Sequence, residues 1–334
     1  MIRYLFPRFS LSPRTALAAL VTAIVLGPLS AFAQSAAPDK PLRTILPVGA
    51  GSGVDTIMRT VSPALTKSLG QPVVIENMPG AGGITGTQAI VMARPDGQTI
   101  GVVSNNHVIN PSVYSKMPFD SLADITPIMV VGSTPMVLVV NPSKLPVKDA
   151  KELIAALKAK PGVYNYASSG NGTILHLADE MFLDQAGVTS NHIPYKGVGP
   201  MISDLIGGQV DWAVSSLPSV QAHLKAGTLR AIGVGAAQRV PAAPEIPTMV
   251  EQGLPNYLVE GWFAVIGPAK LSPAEVKRIH AGFVAAMAAP EVKEAMAKQG
   301  NDINPTTPEA AVAYFRAEQD KYAKLVKKAG VKLD

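Results

Sequence analysis

The sequence contains no cysteine. Disulfides, cysteine nucleophiles, thiolate metal sites and a lipidated N-terminal cysteine are therefore excluded. Charged residues (16%) and aromatic residues (5%) are also scarce, whereas 47% of the residues are hydrophobic. This composition is typical of a packed globular chain and argues against disorder. A chain of 334 residues predicts one large or two medium domains.

Acidic residues are missing from the start of the chain, where three arginines precede an apolar run. A glycine-proline pair interrupts that run, and small residues in an A-x-A pattern end it at 31–33. The run is short for a transmembrane anchor, which needs about 20 apolar residues. We therefore predict a cleavable secretory signal peptide at 1–33 and a linker at 34–40, which place the mature chain in the periplasm of a Gram-negative cell.

The charge gives no case for a nucleic-acid partner. The whole chain has 29 basic and 24 acidic residues, but three of the arginines lie in the predicted signal peptide. The mature chain would keep 26 basic residues against the 24 acidic ones. A nucleic-acid-binding domain usually carries a much larger basic excess, clustered on one face.

Short apolar runs alternate with amphipathic segments along the rest of the chain. Strand–helix–strand–helix–strand order over 42–104 predicts a parallel sheet with right-handed crossovers. The same order starts again after 149. We therefore predict an α/β, two-lobed architecture with a ligand cleft at the hinge. The expected first lobe comprises 41–135 and 262–334, with the last helix packed on either lobe, and the second comprises 136–261.

The chain should cross between the lobes near 132–141 and 258–266. We predict separate strands at 125–131 and 136–140 on either side of the first crossing.

Three loops at predicted carboxyl ends of strands could carry chemistry. The first, "PVGAGSGVD" at 47–55, opens a helix whose first N–H groups are unpaired and partly positive. Such a site suits a carboxylate or phosphate, although a plain strand-to-helix turn remains the alternative. The second loop has the polar run Ser104, Asn105, Asn106 and His107, which could orient a ligand or form an ordinary turn.

The third loop, "YASSGNGTILHL" at 166–177, raises the question of a reactive serine. Thr173 is a good N-cap, and His176 falls off the apolar stripe of the helix that follows, so we expect it at the surface or at the rim of the cleft. The G-x-S-x-G elbow of serine hydrolases is absent around Ser168 and Ser169. We therefore expect no catalytic residue, and an exported serine hydrolase stays as the alternative function.

Acidic residues offer little evidence for catalysis or metal binding. Asp179, Glu180 and Asp184 fall on a polar helix face that we expect to meet solvent. Asp211 begins a strand and could point into the cleft. The five histidines lack i, i+3 or i, i+4 pairing, so no metal is expected.

A glycine-rich segment imitates a cofactor motif. "GAGGITG" at 80–86 looks like a dinucleotide fingerprint, but the next strand does not end in an acidic residue. No cofactor is expected.

Long segments of the chain resemble the Bug family of periplasmic solute receptors, the binding component of tripartite tricarboxylate transporters. They include "GQPVVIENMPGAGGITG" (70–86), "NYASSGNGTILHLADEMF" (165–182) and "HIPYKGVGPMISDLIGGQVDWAV" (192–214). The resemblance implies a Venus-flytrap fold that captures a small organic carboxylate and has transporter membrane components as partners. A sensory role through a membrane kinase is the third possible function.

The resemblance also implies which residues bind the ligand. In this family, backbone amides and hydroxyls of the first and third loops hold the carboxylate. Carried over by position, the candidates are Val48, Gly49, Ala50, Gly51, Ser52, Asp55, Ser104, Asn105, Ser168, Ser169, Asn171, Gly172, Thr173, Tyr195, Lys196, Gly197 and, less directly, Asp211.

The chain departs from the family pattern at the pocket. Val48 replaces the usual aromatic residue, and Asn105 and Asn106 replace a small pair. The smaller Val48 side chain suggests room for a larger ligand, such as an aromatic carboxylate.

Overall fold

The computed structural model describes residues 40–329, in which strands and helices alternate largely as the sequence predicts. The predicted signal peptide and the linker up to residue 39 lie outside the described residues. The strands are β1 (Leu42–Leu46), β2 (Val73–Asn77), β3 (Thr99–Ser104), β4 (Ile125–Val140), β5 (Asn165–Ser168), β6 (Asn191–Pro194), β7 (Trp212–Ser216), β8 (Arg230–Val234), β9 (Glu260–Pro268) and β10 (Asp302–Ile303).

Most helices follow strands and cover the sheet. They begin after polar or glycine-rich turns, which supply their caps. The helices are α1 (Gly53–Leu69), α2 (Ile84–Val91), α3 (Asn106–Val113), α4 (Ala150–Ala159), α5 (Ile174–Ala186), α6 (Val198–Gly207), α7 (Leu217–Lys225), α8 (Pro273–Ala288), α9 (Pro290–Gln299) and α10 (Pro308–Ala329), with a 3₁₀ turn at Ala81–Gly83 before α2.

The sheet consists of two parallel groups joined by antiparallel strands. Its order is β2-β1-β3-β9-β4-β7-β5-β6, and β8 and β10 also pair with β4. Within β2-β1-β3 (the first group) and β7-β5-β6 (the second group) all pairs are parallel. The strands β9 and β4 run antiparallel to their neighbours between these groups. The predicted α/β fold with parallel-type sheets is therefore confirmed.

Strand β4 belongs to both halves of the sheet. It pairs with β9 as far as Pro135, and from Met136 onward it pairs with β7 and β8. The prediction of two separate strands here was wrong. A proline favours an extended conformation in the residue before it, so Pro135 keeps Thr134 extended and the strand continues through the partner change. Thr134 and Met136 consequently lie where the chain passes from one group to the other.

The last helix touches elements of both expected lobes. Helix α10 packs against α3 and β4, and it also contacts α5. Its buried side chains include Phe315 and Tyr322, and Phe315 lies beside the Trp262 ring at a centroid distance of 5.5 Å.

Candidate functional site

A cavity of about 70 Å³ lies where the two parallel groups meet. This is room for about five water molecules, the scale of a small organic acid. Its walls come from the loops that follow the parallel strands and from the crossing strands β4 and β9. Five of the predicted ligand residues line it, namely Val48, Ser52, Ser104, Asn105 and Ser169.

Five helices begin at this cavity. The cap or first residues of α1, α3, α5, α6 and α7 all lie in its wall. The first N–H groups of a helix have no partner within the helix and carry partial positive charge. Among the described residues that line the cavity, none is charged. Helix N-termini of this kind suit a carboxylate or a phosphate without a charged side chain nearby.

The first loop is shaped by its own serine and aspartate. Ser52 caps α1 by accepting a hydrogen bond from the Asp55 amide at 3.2 Å. The buried Asp55 carboxylate accepts bonds from the Gly51 amide (3.0 Å), from Arg59 and from Asn77. Burial alone would raise the pKa of Asp55, but these donors outweigh it and lower the pKa. Asp55 is thus ionised and stabilises the loop through these hydrogen bonds, and it lies outside the cavity lining.

Two glycines bring the first loop against the loop after β6. A Cβ atom on Gly49 would lie 3.6 Å from the Cα atom of Gly197, so the two backbones are almost in contact. The Ser219 hydroxyl donates to the Gly51 carbonyl at 2.9 Å. The structure therefore brings Gly49, Ala50, Gly51 and Gly197 together across the two groups, although none of them lines the cavity.

The second loop is not a turn, because Asn106 and His107 begin helix α3. The Asn105 side chain is fully buried and donates to the Glu260 carbonyl and to the Tyr322 hydroxyl, while it accepts from the Trp262 amide. All donors of its side-chain amide group are therefore used in hydrogen bonds within the protein. Asn105 lines the cavity without a free side-chain donor.

Asn106 makes a contact that sequence reasoning missed. Its Oδ1 atom accepts a hydrogen bond of 2.8 Å from the Ile174 amide, the first N–H group of α5. A residue that follows a strand of the first group thereby caps helix α5, which follows a strand of the second group. The sequence does show an asparagine where the family has a small residue. It does not show the partner, because Ile174 is 68 positions away along the chain.

In the third loop, the serine nearest a histidine is buried and lies outside the cavity lining. The Ser168 hydroxyl lies 2.6 Å from His192 Nε2, and it also donates to the Gly170 carbonyl. Ser169 bonds Thr173, which caps α5 through the His176 amide, as predicted.

The predicted surface position of His176 was wrong. His176 is only 8% exposed, and its ring stacks on that of His192 at 4.0 Å between centroids. Its Nδ1 atom accepts a hydrogen bond from the Gly172 amide at 3.0 Å. Burial lowers the pKa of His176 to about 4, so the ring is neutral near pH 7. Asn171 is exposed at the tip of this loop.

The polar face of α5 also departs from the prediction. Asp179 is fully buried and accepts a hydrogen bond of 2.8 Å from the Val214 amide. Burial raises the pKa of its carboxyl well above the ordinary value. Glu180 is half-buried and accepts a hydrogen bond from the Tyr166 hydroxyl. Only Asp184 is exposed as expected.

The remaining predicted residues lie outside the cavity lining. Tyr195 donates to Asp204 at 2.8 Å, and Lys196 is exposed. Asp211 lies before β7, where its carboxylate accepts from the Asn165 amide at 2.7 Å. That is the end of β7 opposite Ser216, so the structure does not bring Asp211 to the cavity.

Other lining residues are absent from the set of predicted ligand residues, although Gly53, Val54 and Asn106 belong to the first two candidate loops. Several are apolar, and two lie at the partner change of β4. They are Gly53, Val54, Ile57, Asn106, Thr134, Met136, Ile174, Leu175, Val198, Ser216, Gly261, Trp262 and Phe263.

Residues 40–329 contain neither a metal-binding cluster nor a membrane-spanning helix. No three His, Asp or Glu residues there are arranged to hold a metal ion. No helix in that range combines the length and the apolar character needed to cross a membrane.

Taken together, two parallel groups, two crossing strands and an uncharged cavity with helix N-termini in its wall define a periplasmic-type solute-binding protein. Solved structures of this class share the fold. The periplasmic binding protein BugD superposes with a TM-score of 0.85 at 31% identity, over 88% of this chain and 99% of that chain. The MatC protein of Rhodopseudomonas palustris, solved with bound malate, gives 0.81 at 25% identity, over 86% and 99% of the two chains.

Sequence comparison identifies the family. The model of the TctC family, described as the tripartite tricarboxylate transporter family receptor, matches residues 57–331. The protein BugT of Bordetella pertussis is 35% identical over 94% of this chain and 96% of its own length. The chain belongs to the TctC family, and the resemblance seen in the sequence is confirmed. An R. palustris protein solved with adipate is also similar, with a TM-score of 0.85 at 29% identity, over 88% of this chain and 99% of that chain.

Proposed function

We propose that this protein is a periplasmic receptor that captures a small organic carboxylate between two lobes and delivers it to the membrane components of a tripartite tricarboxylate-type transporter. The observation that carries the proposal is the convergence of five helix N-termini on an uncharged cavity. Backbone N–H groups can replace the water around a carboxylate, so an arginine clamp is not required.

In this proposal the lobes are those predicted from the sequence. The first lobe comprises 41–135 and 262–334, and the second lobe comprises 136–261. In support, β4 changes partners between Pro135 and Met136, and β9 starts at Glu260. The anion first binds to one lobe, and the other lobe then closes over it. Closure is favoured because only the closed form offers hydrogen-bond donors from both lobes.

The relatives support the same function. Similar structures were solved with adipate and with malate, both small organic acids. Membership of a transporter receptor family supports the membrane partners and a periplasmic location. The sensing role through a membrane kinase gains no support from these relatives.

A ligand screen tests the function directly. We expect at least one mono-, di-, tri- or aromatic carboxylate to raise the melting temperature, since a ligand that binds only the folded state stabilises it by mass action. At a concentration 100 times the Kd, the gain is about 2.7 kcal/mol. Differential scanning fluorimetry with the mature chain measures this shift.

The matched control is the neutral amide of each active acid, which has the same shape without the charge. A receptor that recognises the carboxylate should respond to the acid alone. Equal stabilisation by acid and amide, or no stabilisation by any acid, would contradict the proposed function.

Asn106 should contribute to closure. Replacing it with alanine removes the acceptor for the Ile174 amide and is expected to weaken ligand affinity about 2- to 10-fold, the usual range for one hydrogen bond. Calorimetry measures the affinity. The control is Asn256→Ala, because Asn256 is exposed and outside the cavity lining. Equal affinities in both variants would show that the contact has no role in closure.

A further inference from the structure

The crossing strands give the cavity an apolar side. We call Ile57, Met136, Trp262 and Phe263 the hinge-side wall, since three of them lie on β4 and β9 and Ile57 lies on the first turns of α1. Val48 and Val54 add further aliphatic surface to the lining. A ligand that fills this cavity must therefore present apolar atoms to most of the surface it meets.

The polar atoms near the hinge-side wall already have partners. Trp262 donates its indole N–H to Glu318 at 2.8 Å, away from any ligand. Ser216 shares a hydrogen bond of 2.8 Å with Ser219. The exceptions are two hydroxyls without a partner among the described residues, the buried one of Thr134 and that of Ser104, which lies opposite Phe263. Two single hydroxyls can bond a neutral oxygen or a water molecule, but they cannot satisfy a carboxylate, which has about four acceptor sites.

The charges behind the hinge-side wall are mainly acidic. Glu318 is 8% exposed and lies directly behind Trp262, with one oxygen paired to Lys321 at 2.9 Å. Glu260 begins β9 beside the lining residue Gly261. Burying an anionic group without donors costs several kcal/mol, and nearby negative charge adds to that cost. This side of the cavity is therefore unsuited to a second carboxylate.

We propose that the ligand carries one carboxylate and a compact apolar body. The carboxylate lies at the helix N-termini and the body lies against the hinge-side wall. This proposal rests on the proposed function and narrows it from carboxylates in general to one chemical class. Val48 lies in the lining, and the sequence-based hypothesis of room for a larger ligand, such as an aromatic carboxylate, stays a prediction.

Calorimetry with a matched pair of acids tests this class. Hexanoate and adipate have the same six-carbon chain and differ in the number of carboxylates, and benzoate adds a compact aromatic body. We expect hexanoate or benzoate to bind at least about tenfold more tightly than adipate, because the second carboxylate loses hydration without gaining donors.

Adipate binding as tightly as both monocarboxylates, or more tightly, would overturn the ligand class and leave the receptor function standing. No binding by any acid in the wider screen would overturn the receptor function itself.

A charge-introducing variant tests the location of the apolar body. Met136→Lys places a cation in the hinge-side wall and should change the hexanoate-to-adipate affinity ratio by about tenfold or more in favour of adipate. Met136→Leu keeps the wall apolar and should preserve the wild-type ratio. A folded Met136→Lys variant with an unchanged ratio would overturn the assignment of this wall. If that variant does not fold, as judged by its thermal melt, the wild-type ratio alone decides the proposal.

Discussion

Replacing Gly53 with valine is expected to weaken ligand binding about 10- to 100-fold while the protein stays folded. A Cβ atom at Gly53 would lie 2.8 Å from the Ser216 hydroxyl oxygen and 3.2 Å from the Ser216 Cβ. Gly53 begins α1 in the first group, and Ser216 ends β7 in the second. The added side chain would therefore hold the two halves apart. Overpacking of this kind costs about 1–3 kcal/mol, and here the closed form alone bears that cost.

A glycine elsewhere provides the matched control. Gly207 is also helical, and a Cβ atom there would meet no atom within 4 Å. Gly207→Val should therefore keep wild-type affinity, with a similar loss of backbone freedom in the unfolded chain. Calorimetry with the best acid of the screen, together with thermal melts of both variants, separates closure from stability. Unchanged affinity in Gly53→Val would show that closure does not bring these residues together.

The sequence was informative where local rules decide the structure. Alternating apolar runs located most strands and helices, because periodicity depends on neighbours within one element. The caps Ser52 and Thr173 were recognisable for the same reason, and both form the expected bonds. The first and third loops were thereby correctly placed at the ends of strands that lead into the cavity.

Contacts between distant residues could not be derived in this way. Thr134 and Met136 line the cavity because β4 continues through a partner change, where the sequence predicted two separate strands. Asn106 bonds Ile174 only because the two halves meet. Each of these residues has an ordinary local sequence, and its role depends on tertiary pairing.

The misplaced polar residues of α5 have a related cause. The prediction assumed that one face of the helix is buried and the other meets water. In the structure, α5 contacts β5 and β7 and is also covered by α10. Burial on more than one side therefore includes His176 and Asp179, which lie off the apolar stripe.

Buried histidines are expected to make the protein sensitive to acid. Burial lowers the pKa of His107, His176 and His192 to about 4 in each case. His107 is the clearest example, since it is 3% exposed, bonds the Ser121 carbonyl and lies between aromatic rings. Its pKa in the folded state is below the ordinary value of about 6.5, so the unfolded state binds the proton more readily. The stability that a neutral His107 contributes is complete above pH 6.5 and is lost as the pH falls towards 4.

Replacing His107 with glutamine isolates this effect, because glutamine can still donate to the Ser121 carbonyl but does not titrate. Between pH 7 and pH 5 the wild-type protein should lose about 2 kcal/mol more unfolding free energy than His107→Gln does. Urea unfolding at both pH values measures this difference, provided that the m-value is constant. Asp179 works in the opposite direction, since burial raises its pKa, but it is common to both proteins and cancels. The control His280→Gln keeps His107, His176 and His192 and should show the wild-type loss. The same loss in His107→Gln would mean that His107 does not cause the acid sensitivity.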